Sequence, residues 1–325
     1  SFIILEVRRL AFPQRVSASS YFFPSQSSGL FVNMRSHGVT FSIAGHAEWA
    51  PGLTTPEAWA QWGRAPQPII AGEEPGVKAM PAMLRRRAGF LGKMALEVAY
   101  RCLNSLEDKG ANIPTVFCSR HGEVSRALEL LTDLAHAEPL SPTAFSMSVH
   151  NATAGLLTIA RADRANHIAL AAGASTIEHA VIEACGLLDD GAPMVLLVAS
   201  DCQMPELFLP YQGSDEQPHA WAWLMTPAAA DTIALSWSAS GQAPSSRMPG
   251  ALDVAAFYLG GADALERFDG RLRWRWMSSG CVTANSPRSA KRPAALFVRH
   301  YLKPSILPTR WIYAMTPAAS ITSKR

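Results

Sequence analysis

The chain is 325 residues long, 48% hydrophobic and 17% charged, which is enough apolar material for one or two packed domains. Its net charge of +3 conceals a split: residues 1–33 carry three basic side chains and one acid, residues 277–325 carry eight basic and no acid, and the body between them carries 18 basic and 25 acidic. An acidic body argues against a nucleic-acid binder, and no apolar run is long enough to cross a bilayer.

Residues 1–33 begin with a short apolar run but lack the basic, apolar and small-residue order of a secretory signal. They read as an extension outside the domain, with Met34 a candidate start, and the expected location is the cytoplasm. GVTFSIAG (38–45) alternates and is rich in β-branched residues, which predicts a strand ending at a glycine turn. In TTPEAWAQWG, Thr55 caps a helix, Pro56 suits its first turn, and Glu57 and Trp59 continue it. Residues 67–80 are rich in Pro and Gly and read as a loop. Residues 81–106 predict one long helix. Met83, Leu84, Phe90, Leu91, Met94, Val98 and Leu103 fall at three-and-four spacing, and Arg85, Arg86 and Arg87 cluster near its start.

IPTVFCSR (113–120) is a short strand and GEVSRALELLTDLAH a helix. NATAGLLTIARA, after a proline-bearing loop, is another helix. HIALAAG (167–173) is a strand and residues 175–188 an amphipathic helix. APMVLLVASD (192–201) is a continuous apolar run, as in a strand buried on both faces. AWAWLMTP and TIALSWSA add two strands, and Trp221, Trp223, Trp274 and Trp276 at alternate positions mark strand faces turned to the core. Residues 277–325, rich in Ser, Pro and Ala without periodicity, read as a basic, disordered tail. The expected fold is α/β, with helices layered around a mixed central sheet over residues 34–276.

Four segments carry a family resemblance, and they occur in the family's order. VTFSIAGHAEWAPGLTTPEAW resembles the opening strand, glycine turn and first helix of β-ketoacyl synthases, and MLRRRAGFLGKMALEVAYRCL the long helix that follows. SPTAFSMSVHNATAGLLTIA resembles the proline-bearing loop and helix near the dimer interface. HIALAAGASTIEHAVIEACGLLDDGAPMVLLVASD resembles the nucleophile elbow, its helix and the next core strand. The chain is similar to the N-terminal half of that family, and most of all to its short chain length factors, found with aryl polyene or type II polyketide genes. The resemblance implies half of a thiolase-like α/β fold. It also implies a heterodimer with a full-length β-ketoacyl synthase, and an acyl carrier protein as a further partner.

A ketosynthase needs a cysteine at the elbow, where a helix N-terminus lowers the thiol pKa and backbone N–H groups stabilise the oxyanion. Counting back from Asp190-Gly191 places Ala174 there, with Gly173 and Ser175 one residue either side; none is a cysteine. The two histidines that the family's second half supplies have no counterpart, since His300 stands in no family-like context. The resemblance therefore implies a subunit without catalysis of its own. The alternatives are a stand-alone acyltransferase using Ser175 or Cys202, and a decayed gene product.

Other polar residues each have two readings. His150, Asn151 and Gly155 lie at the partner interface or acyl channel by resemblance; Asn151 otherwise caps its helix and His150 bonds to backbone. Arg85, Arg86 and Arg87 dock an acidic carrier protein or form a solvated helix start. His121 and Glu123 form a metal or acid/base pair, although two residues make no metal site, or serve a turn or interface. Asp201 and Cys202 end a buried strand, where α/β sheets often place a site. Cys185 reads as core, and His179, beside Glu178, as packing or solvent. The five cysteines, Cys102, Cys118, Cys185, Cys202 and Cys281, form no CxxC pair and read as reduced thiols, with no metal site. Without a GxGxxG paired to an acid, or a P-loop, no cofactor is expected.

Overall fold

The structure, a computed structural model, describes residues 37–70, 72–244 and 246–279. The expected extension over 1–33, nearly all of the expected tail and Cys281 lie outside the described residues.

β1 (His37–Trp49) is the spine of the sheet. Its first half pairs with β6 (Thr232–Ala239) and its second with β5 (His219–Pro227), both antiparallel. A bulge between Ile43 and Gly45 adds a residue and moves the alternation on by one. Phe41 and Ile43 therefore face one helical layer, while Ala47 and Trp49 face the other. The expected glycine turn at Gly45 is this bulge, through which the strand continues.

β2 (Thr115–Cys118) runs parallel to β3 (His167–Leu170) on one side and to β4 (Val195–Asp201) on the other. β4 pairs antiparallel with β5. A closing hairpin, β7 (Ala264–Phe268) and β8 (Leu272–Ser278), joins the sheet through β6. The eight strands stand in the order β3-β2-β4-β5-β1-β6-β8-β7, a mixed sheet as expected. β8 runs two residues beyond the expected boundary at 276, because Met277 and Ser278 still pair with Ala234 and Ile233.

Helices cover both faces. On the front lie α1 (Pro56–Arg64), α7 (Thr176–Asp189) and α8 (Gly250–Gly260), packed over Val116, Val195, Leu197 and five tryptophans of β5, β6 and β8. Trp221 and Trp223 sit 4.5 Å apart between ring centres, and Trp223 meets Trp276 edge-on at 6.5 Å. On the back lie α3 (Phe90–Asn104) and α6 (Ala152–Arg161), whose buried sides pack with Phe117, Leu196, Val198 and the small Ala220 and Ala222. Thr55 accepts from the Ala58 amide at 3.3 Å, so the expected cap of α1 forms.

The expected long helix over 81–106 is two. α2 (Ala82–Arg85) is a single turn, and α3 begins anew at Phe90. Between them Gly89 takes an extended ψ of −177°. The next helix, α4 (Val124–Ala135), presses on this point: a Cβ at Gly89 would lie 3.0 Å from the Arg126 guanidinium. A tertiary contact there overrides the helical period. α5 (Pro142–Ser146) is a short turn inside the proline-bearing loop, capped by Ser141.

Candidate functional site

β1 is antiparallel to β5, and β5 to β4, so β1 to β4 all run the same way. Their C-terminal ends share one rim, the usual place for a site in such sheets. β3 leaves this rim through Ala171 and Ala172 into the elbow, a tight turn over Gly173–Ser175 that opens α7. Gly173 takes φ +59°, a left-handed value that only glycine adopts freely, and a Cβ there would meet nothing within 4 Å. The turn is tied by Thr176, whose Oγ1 donates to the Gly173 carbonyl at 2.8 Å and accepts from the Ala172 amide at 2.9 Å. Ser175 stands at the N-cap position of α7, but its side chain makes no cap bond. Its buried hydroxyl donates to the Ala172 carbonyl at 3.2 Å and lies within reach of Asp269.

His179 bonds through Nδ1 to the Ser175 carbonyl at 2.9 Å rather than to its hydroxyl, so His179 is not placed to activate Ser175. Its ring lies against Trp274 at 5.3 Å, which is the packing role expected. Burial pushes the Cys202 thiol up, and Asp201 and Glu123 push the same way. Burial also pushes Cys185 up to about 12, and Cys102 and Cys118 well above the usual thiol range. A buried thiol without a cation stays protonated and unreactive.

Beneath the elbow lies a buried polar cluster. Asp201 Oδ1 accepts from Ser119 Oγ at 2.7 Å, from the Arg120 amide at 3.0 Å and from the His121 amide at 3.3 Å. Arg120 Nη1 donates to Ser214 Oγ at 2.5 Å and to Glu216 Oε1 at 3.0 Å. His121 Nε2 stands 3.6 Å from that same oxygen, so the partner of His121 is Glu216, not Glu123. Burial works to raise the Glu216 carboxyl, but His121, Ser214 and Arg120 together bring it below its usual range. Burial raises Asp201, against the pull of His219 and Ser119. Cys118, Arg120, Gly173, Asp201, Glu216 and Gly250 line a pocket here of about 20 Å³, room for one water and not for an acyl chain.

His219, opposite Asp201 across β4 and β5, is fully buried. Its Nδ1 donates to the Gln217 carbonyl at 2.8 Å, which fixes the neutral tautomer. Burial lowers its pKa, although Asp201 opposes this. The unfolded chain, titrating near 6.5, then takes up a proton before the fold does, so this share of stability is lost as pH falls below about 6.5. Asp201 has the opposite sign, since the fold holds its proton at higher pH than the unfolded chain does. Melting temperatures between pH 7.5 and 5 are expected to fall more steeply for the native chain than for His219→Asn. Parallel curves would remove His219 from the titration.

A second cluster grips the elbow from the other side. Arg267 of β7 pairs with the fully buried Glu178 of α7 and with Asp253 of α8, its Nε lying 3.1 Å from Asp253 Oδ2. Its Nη2 donates to the Ala174 carbonyl at 3.3 Å. Asp269, in the turn of the same hairpin, accepts from the Trp274 indole at 2.9 Å and from the Arg271 and Leu272 amides. Sequence reasoning passed over Arg267, Asp253 and Asp269; the only local signal is charge, for Asp253 inside the apolar α8 and for Arg267 and Asp269 in the stretch that precedes the tryptophan pair.

The remaining candidates lie toward the outer edge, β3. His150 is exposed and its Nε2 lies 3.2 Å from the Leu170 carbonyl, the backbone bond expected. Asn151 stands at the start of α6 but its side chain makes no cap bond. Gly155 meets nothing: a Cβ there would have no neighbour within 4 Å. Around this helix Phe145, Val149 and Ile159 are exposed, as are Leu131 and Leu134 of α4, while β3 has no strand beyond it among the described residues. Of the three arginines, Arg85 turns back to the Val77 carbonyl at 3.3 Å, and only Arg86 and Arg87 are exposed, beside Met83. Among the described residues no cluster could hold a metal, and no helix is long and apolar enough to cross a membrane.

Comparison with solved structures finds a chain of the ketosynthase (ApeO) in complex with its chain length factor (ApeC) from Xenorhabdus doucetiae. It is 27% identical with a TM-score of 0.64, and the match covers 74% of this chain and 99% of that one. A chain of a type II polyketide synthase acyl-carrier protein complex with its ketosynthase, AntDE:AntF, is 11% identical with a TM-score of 0.55, covering 75% and 99%; it shares the fold. Curated protein sequences give no match. The family model for the β-ketoacyl synthase N-terminal domain matches residues 59–277, from the first buried tryptophan of α1 to the end of the closing hairpin. With its mixed sheet, its elbow and its order of elements, the chain has the thiolase-like α/β fold and belongs to the β-ketoacyl synthase N-terminal domain family.

Proposed function

We propose that the chain is a non-catalytic, ketosynthase-like subunit of the chain length factor type. It pairs one-to-one with a full-length, active β-ketoacyl synthase in the cytoplasm and helps to bound chain length in fatty-acid-like, polyketide or aryl polyene biosynthesis. The observation that carries this reading is the elbow. Gly173, Ala174 and Ser175 offer no thiol, His179 faces the Ser175 carbonyl and not its hydroxyl, and burial holds the described cysteines protonated. The pocket beneath it admits a water only, so an acyl chain would need space shared with a partner.

Two surfaces support the partners. The apolar face of α4 to α6, with the open β3 edge, suits a ketosynthase; an unpaired apolar edge invites pairing. Arg86 and Arg87, with the exposed Lys78 nearby in sequence, suit steering of an acidic carrier protein. The domain is proposed to run from residue 34 to the end of β8 at Ser278, with residues 1–33 and the tail outside it.

The test is acyl loading. The purified chain, offered a labelled acyl carrier protein, is expected to form no thioester that hydroxylamine releases. Label that disappears with Cys202→Ala would overturn the non-catalytic reading, and label that disappears with Ser175→Ala would establish the serine acyltransferase instead.

A further inference from the structure

The closing hairpin reaches across the front of the molecule to a turn some ninety residues earlier in the chain. Two of its side chains meet the elbow and a third reaches it through His179. Arg267 donates to the Ala174 carbonyl and pairs with Glu178. Asp269 stands within reach of the Ser175 hydroxyl, and Trp274 lies on His179, the residue that binds the Ser175 carbonyl. Space has been cleared for this contact. Gly250, at the start of α8, has no side chain where the Arg267 guanidinium passes, and a Cβ there would lie 2.6 Å from its Cζ.

We infer that Arg267 is a positioning residue, through which the β7–β8 hairpin clamps the elbow and, with it, the β3 edge that a partner subunit would meet. The inference rests on the partner-subunit reading for its second half only. Two acids, Glu178 and Asp253, share one guanidinium, Glu178 through Oε1, and Glu178 Oε2 is buried with no hydrogen-bond partner among the described residues. Removing the cation would leave Glu178 uncompensated where water does not reach, while Asp253 is only partly buried, so the elbow must open to solvate Glu178. β3 runs straight into the elbow, so loosening Gly173–Ser175 frees the end of that strand.

The test compares Arg267→Met with Arg267→Lys and with Leu252→Ala, a buried position on α8 outside the clamp. Amide exchange by mass spectrometry is read over peptides spanning residues 168–178, alongside the melting temperature. Arg267→Met is expected to speed exchange there beyond its effect on the rest of the sheet, with Arg267→Lys intermediate because it keeps the charge and loses the fork. Leu252→Ala is expected to lower the melting temperature without that local pattern. In complex with the cognate ketosynthase, Arg267→Met is expected to raise Kd by about tenfold. Exchange over 168–178 that stays unchanged, or that rises only in step with global stability as in Leu252→Ala, would overturn the clamp. If Arg267→Met does not fold, Arg267→Lys carries the same comparison. Native chain that binds no ketosynthase would sink the partner-subunit reading and leave the exchange result to decide the clamp alone.

Discussion

Gly155→Leu is expected to raise the Kd of the one-to-one complex with the cognate ketosynthase by a factor on the order of 100, about 2.7 kcal/mol. The same change is expected to leave the isolated chain at least as stable as before. The second outcome follows from one observation, that a Cβ at Gly155 inside α6 meets no atom of this chain within 4 Å, and the first from the proposal that α6 meets the partner. Within the monomer the substitution removes a helix-weakening glycine, a gain of up to about 1 kcal/mol. Against a partner it adds four carbons where close approach leaves no room. Size-exclusion chromatography with light scattering, followed by calorimetric titration, gives the first outcome and thermal unfolding the second. A variant that binds as tightly as the native chain would move the interface away from α6, and Cys202→Ala serves as the silent control.

Gly260→Val is expected to damage the fold severely. α1 and α8 cross on two glycines. A Cβ at Gly63 would lie 2.8 Å from the Gly260 amide nitrogen, and one at Gly260 would lie 2.5 Å from the Gly63 carbonyl oxygen. Both obstacles are backbone, so no rotamer relieves them and the helices must separate. Overpacking of this kind costs about 3 kcal/mol, or roughly 6–12 °C in melting temperature for a domain of this size. Gly186→Ala in α7, where a Cβ meets nothing, is expected to be neutral or slightly stabilising. Equal melting temperatures for the two variants would mean that α1 and α8 do not touch as described.

Much of this architecture is legible in the residue order. Alternation marks the inward tryptophans of β5 and β8, and a continuous apolar run marks β4, because both report burial directly. The Thr55-Pro56 start of α1 is local chemistry and reads as such. α8 escapes, since it is apolar on nearly every side and shows no stripe. The break before Phe90 escapes because its cause is Arg126 of another helix. The site divides in the same way. The absence of a cysteine at the elbow is visible in three consecutive residues. The Arg267 cluster and the Asp201–Arg120–Glu216 cluster are assembled from parts of the chain up to about ninety-five residues apart, and no spacing rule announces them.

The two ends of the sheet differ in kind. β3 closes one end with His167, Ile168, Ala169 and Leu170 and has nothing beyond it among the described residues, whereas β7 closes the other with Glu266 and Arg267, charges that discourage a further strand. A body with two adhesive edges can add copies without limit and grow into fibres. One with a single adhesive edge is saturated by the first neighbour it meets, so its assemblies stop at two.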